Sequence, residues 1–109
     1  MPPKRGPPLL ANLLETCVDT PDGLQAAIAG GADRIELCSA LALGGLTPSA
    51  GLIAAARQSP VPVLAMVRPR AGGFVWTPAE IRAMRHEIAA VRQAGLAGVV
   101  LGASRPDGT

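Results

Sequence analysis

Tyrosine is absent from this 109-residue chain, and Phe74 and Trp76 are its only aromatic residues. With a net charge of only +2 and no basic run, the chain has no platform on which bases could stack, which argues against nucleic acid as a partner. Cysteine is scarce too. Cys17 and Cys38 are the only two, too few for a disulfide framework. His86 is the single histidine, set between Arg85 and Glu87 on an expected solvent-facing helix surface. No uninterrupted apolar run is long enough to cross a membrane. The segment from Met1 to Pro8 lacks the apolar stretch of a secretory signal, so a cytoplasmic location is expected. No Gly-x-Gly-x-x-Gly follows the first expected strand, and no nucleotide cofactor is indicated.

What is present is an aliphatic chain. It is 49% hydrophobic and 17% charged, a composition that folds rather than one that stays disordered. Residues 1–9 read as a flexible, proline-rich tail, and residues 10–109 as one structural unit. The first strand is expected from Leu10 to Val18. Asp19 or Thr20 caps a helix opened by Pro21, with Leu24 and Ile28 facing a sheet. Gly30 and Gly31 stop it, one of them at positive φ. A second strand runs from Arg34 to Cys38, and a loop containing Gly44-Gly45 follows. Thr47 and Pro48 are expected to start the next helix. Pro60 and Pro62 bracket the entry to a third strand, Val61 to Val67. Thr77-Pro78-Ala79-Glu80 carries a capping-box signature. Behind it, Ile81, Met84, Ile88 and Val91 form an apolar stripe, with Arg82, Arg85, Glu87 and Arg92 turned to solvent. A fourth strand is expected at Val99 to Gly102.

Strands alternating with helices in this way imply a parallel α/β sheet with right-handed crossovers. A (β/α)8 barrel takes roughly 250 residues. Four parallel strands and three helices therefore read as the first half of a TIM barrel. The expectation is a truncated unit that needs its missing C-terminal half or forms a homo-oligomer.

Side chains alternate along a strand, so Glu15 and Cys17 share one face of the first strand. Glu36 and Cys38 likewise share a face of the second. Barrel active sites gather at the C-terminal ends of the strands. Cys17, Asp19, Cys38, Ser39, Arg68 and Arg70 all fall at such ends. Two thiols on adjacent strands could coordinate a soft ion such as Cu(I). A place in the core as small buried hydrophobes is the commonest fate of free cysteines, and the 20-residue gap between Cys17 and Cys38 is no known ligand spacing. Arg68 and Arg70, beside Gly72-Gly73, suit a small anionic ligand, since a guanidinium binds carboxylate or phosphate through two parallel hydrogen bonds. Arg68 could instead form an internal salt link with Glu15 or Glu36. With Arg68 and Arg70 holding an anion, either of those glutamates could act as acid or base in a metal-independent reaction.

Several stretches together carry a resemblance. They are Glu15-x-Cys17-Val18-Asp19, the run Gly31-Ala32-Asp33-Arg34-Ile35-Glu36-Leu37-Cys38-Ser39, Gly44-Gly45-Leu46-Thr47-Pro48-Ser49, and Met66-Val67-Arg68-Pro69-Arg70-x-Gly72-Gly73-Phe74. These, with Gly102-Ala103-x-x-x-Asp107-Gly108, resemble the N-terminal half of the CutC copper homeostasis family. The resemblance implies a (β/α)8 barrel in the cytoplasm with a role in copper tolerance or trafficking. It also implies Cu(I) binding by the cysteines of the first two strands, here Cys17 and Cys38. An enzymatic reaction on a small anionic substrate, and a fragment inactive on its own, stand as the alternatives.

Overall fold

The structure is a computed structural model that describes residues 12–109. The proline-rich segment 1–9 and the expected strand start at Leu10 lie outside the described residues. The elements run β1 (Glu15–Val18), α1 (Pro21–Ala29), β2 (Arg34–Leu37), α2 (Ala50–Ala56), β3 (Val63–Met66), α3 (Pro78–Gln93) and β4 (Gly98–Val100). The described residues form one four-stranded sheet in the order β1-β2-β3-β4, all neighbours parallel. Sequential neighbours linked by crossover helices are the arrangement of one half of a (β/α)8 barrel.

Local chemistry explains most element boundaries. The Thr20 hydroxyl accepts from the Gly23 amide at 2.9 Å and caps α1, with Pro21 in the first turn. Gly31, at φ +96°, turns the chain from α1 into β2, a conformation that costs glycine nothing. The second helix starts later than its sequence suggests. Ser49, not Thr47, is its cap, accepting from Leu52 at 3.2 Å. Thr47 is drawn away by long-range bonds. Its hydroxyl accepts from the Arg68 amide at 2.8 Å and donates to Glu87 at 3.0 Å. Glu87 is thus tied to the β2–α2 loop rather than left in solvent. The expected fourth strand shifts to Gly98–Val100, and a 3-10 turn at Leu41–Leu43 occupies the loop after β2.

The register sorts side chains into two layers. Val18, Ile35, Leu37, Val63 and Ala65 point one way and are buried under the helices with Leu24, Leu52 and Ala56. Burial of such side chains stabilises by about 1.5–3 kcal/mol each, as an upper estimate. On α3, Met84 and Val91 are buried, whereas Ile81 is 43% exposed and leaves the apolar stripe. The opposite sheet face carries Glu15, Cys17, Arg34, Glu36, Leu64 and Met66, a mostly polar and half-exposed set. In a closed barrel this is the interior face.

Candidate functional site

The sequence-predicted site residues divide into two groups. The first lies on β1 and β2. Glu15 stands opposite Arg34 and Cys17 opposite Glu36. Arg34 holds Glu15 through two nitrogens, at 3.2 and 3.4 Å. Glu15 is thereby committed to a salt link at the start of the strands. One level up, the Cys17 thiol donates to Glu36 at 3.4 Å. This thiol, rather than Arg68, is the partner of Glu36. Cys38 is fully buried just past the end of β2, and its thiol reaches the Glu36 carbonyl oxygen at 3.9 Å. Asp19 accepts from the Leu41 amide at 3.2 Å, and the Ser39 hydroxyl donates to the Thr47 carbonyl oxygen at 2.8 Å. Both pin the loop that closes over Cys38.

Both cysteines are free, Cys17 exposed and Cys38 buried. Their surroundings disfavour the thiolate. Partial burial, then the Glu36 carboxylate that accepts its hydrogen bond, and then Glu15, raise the Cys17 thiol above its usual value. Burial first, then Glu36, Cys17 and Asp19, push Cys38 up to about 12. Cys17 is the third of the influences that raise Cys38, after burial and Glu36. A cation placed between the two thiols would reverse the balance, because it favours thiolates and neighbouring carboxylates alike.

The second group is the loop between β3 and α3. Arg68 donates from Nη1 to the Leu43 and Gly45 carbonyl oxygens, both at 3.2 Å, and from Nη2 to Gly72 at 2.8 Å. Its guanidinium carbon lies 5.1 Å from the Phe74 ring centre. Its Nε is buried without an acceptor among the described residues. That orphan donor is the one feature here that suits an anion. Arg70 has none to offer. It holds Glu80 at 2.7 and 3.3 Å, reaches the carbonyl oxygens of Ala71, Gly73 and Val75, and stacks over Trp76 at 4.6 Å. Glu80 is held below the usual carboxylate range by the Thr77 amide first and Arg70 after it. Phe74 and Trp76 meet edge to face at 6.0 Å, and Trp76 donates to the Gly102 carbonyl oxygen at 2.8 Å. Phe74, Trp76, Glu80 and Met66 all help build this region and were not evident as site residues in the sequence, where the Gly44-Gly45 pair stood out as a loop. One signal was available: both aromatics of the chain fall in the loop that carries its two paired arginines.

The fit of a metal can be tested on the residues present. Among the described residues, no group of three or more histidine, cysteine, aspartate or glutamate side chains is placed to hold an ion. A divalent ion needing three or four such ligands has no seat here. A soft monovalent ion asks for less, and thiol and thioether sulfur suit it. Gly45 supplies the cradle. It is buried at φ +96°, and a Cβ there would stand 2.9 Å from Met66 Sδ and 3.5 Å from Cys38 Sγ.

The family model for the CutC family matches residues 12–109, all of the described chain. The chain belongs to the CutC family. A CutC family protein of Sinorhizobium medicae is 70% identical over 96 residues, covering 88% of this chain and 39% of the relative. One of Caulobacter vibrioides is 62% identical over 96 residues, with 88% and 39% covered. The solved structure of a candidate copper homeostasis protein, CutC, from Streptococcus agalactiae superposes with a TM-score of 0.81 at 34% identity. It covers 87% of this chain and 47% of that one. The chain thus spans about 39% of the length of the curated CutC relatives it matches.

Proposed function

We propose that this chain binds Cu(I) through Cys17 and Cys38 and serves copper homeostasis in the cytoplasm. The observation that carries the reading is that both free thiols hydrogen-bond to the same residue, Cys17 to the Glu36 carboxylate and Cys38 to the Glu36 carbonyl oxygen, toward the strand ends of a CutC half-barrel. Soft sulfur selects Cu(I) over the harder divalent ions. The carboxylates of Glu36, hydrogen-bonded to Cys17, and Asp19, near Cys38, raise the local preference for a cation. Loss of the thiol protons on binding is then offset by the ion's own charge. Free rather than paired cysteines suit a reducing compartment. The role of the whole-length relatives in copper handling extends to this chain on the same reading.

The test is an anaerobic titration with Cu(I) against a chromophoric chelator. The wild-type chain is expected to bind about one equivalent, as a single two-thiol site requires. A Cys17→Ser, Cys38→Ser double variant is expected to lose that binding. Unchanged affinity in the double variant would overturn the reading.

A further inference from the structure

Met66 lies on the face of the sheet opposite the packed core. One step past the Leu37–Ala65 pair, it stands beside Cys38, and it shares the strand face of Leu64, Glu36 and Cys17. Cys17 on β1 and Met66 on β3 thus share a face, with Cys38 between them just past the end of β2 and Cys17 one same-face step lower, level with Glu36 and Leu64. The Gly45 backbone covers Met66 and Cys38. The point its Cβ would occupy is 2.9 Å from Met66 Sδ, 3.1 Å from its Cε and 3.5 Å from Cys38 Sγ. Any side chain at residue 45 would fill the space between loop and sulfurs. On its other side Met66 borders a cavity of about 210 Å³, together with Arg68, Phe74, Val100 and Gly102.

We propose that Met66 supplies the third soft donor to the Cys17–Cys38 site, making it a three-sulfur seat for Cu(I). This inference rests on the Cu(I) reading above. No third histidine, cysteine or carboxylate is placed to serve among the described residues, so a third ligand must be of another kind. A thioether is uncharged and has no proton to lose. It adds no negative charge to a neighbourhood that already holds Glu15, Glu36 and Asp19. It also binds Cu(I) far better than it binds Zn(II), so it would set metal choice as well as affinity.

The experiment compares the full chain with its Met66→Leu variant, which preserves volume and apolar character. Each is titrated anaerobically with Cu(I) and separately with Zn(II). The expected result is Cu(I) affinity weakened by about tenfold, with Zn(II) affinity unchanged. Selenomethionine-labelled wild-type chain is then loaded with Cu(I) and examined at the selenium absorption edge. A copper neighbour to selenium is expected, absent from labelled Met66→Leu. The selenium measurement needs no stable variant, so it decides the matter if Met66→Leu fails to fold. Cu(I) binding by the wild type without any copper–selenium contact would overturn the role of Met66 and leave the two-thiol reading standing. Failure of the wild type to bind Cu(I) would remove both.

Discussion

Cys38 shows how one buried thiol links the site to stability. Its pKa is pushed from 9.0 to about 12, chiefly by burial and then by Glu36. A group whose folded value is raised keeps its full contribution to stability below the unfolded value. It loses that contribution as pH rises through the folded one. Alkaline titration from pH 9 toward 12 should therefore destabilise the chain, as followed by chemical denaturation at each pH. A Cys38→Ala variant should show a shallower decline over the same window. The two arginines diverge just as sharply at this scale. They are two positions apart in sequence, yet Arg70 has its donors on Glu80 and on loop carbonyl oxygens, while Arg68 keeps a buried Nε unmatched. Nothing in the Arg68-Pro69-Arg70 run distinguishes them, because the difference lies in the path of the loop beyond.

At the level of elements, boundaries set by neighbours in sequence were legible and those set by distant partners were not. The Thr77 cap, Pro78 and Glu80 form the reciprocal capping box that their spacing implies, with Thr77 Oγ1 accepting at 3.1 Å and Glu80 accepting from Thr77 at 2.9 Å. Thr77→Ala should lower stability by about 1 kcal/mol in thermal or urea unfolding. Thr47 looks equally like a cap in sequence. Its hydroxyl instead joins β3 to α3 through Arg68 and Glu87, the latter forty positions away, and Ser49 takes the capping role. Strand parity put Cys17 and Glu36 on inward faces, but their pairing in place of an Arg68–Glu36 link depends on the β1–β2 register. The closeness of Met66 to Cys38 needed more, since it depends on the positive φ of Gly45 bringing a loop down upon both. The alternation of strands and helices was enough to give the half-barrel order. The clamp built by Arg70, Glu80 and Trp76 was not foreseen, because each member also reads as an ordinary surface residue.

For the molecule as a whole, the sheet has two flanks without a strand partner. Among the described residues β1 pairs only with β2, and β4 only with β3. Unpaired strand edges invite further strands. Exposed Leu13 and Leu14 beside β1, and Leu101 beside β4, add apolar surface at those flanks. Sedimentation velocity over a range of concentrations should detect self-association. A single monomeric species that also unfolds cooperatively would contradict this expectation. The loop after β3 has a different consequence. Its arginines are bonded to carbonyl oxygens of their own and the neighbouring loop, and two aromatic rings are stacked against them. The mouth of the half-barrel thus gives up its conformational entropy during folding. An arriving ligand meets a rim already ordered, and the free energy of its contacts goes into holding it rather than into freezing the loop.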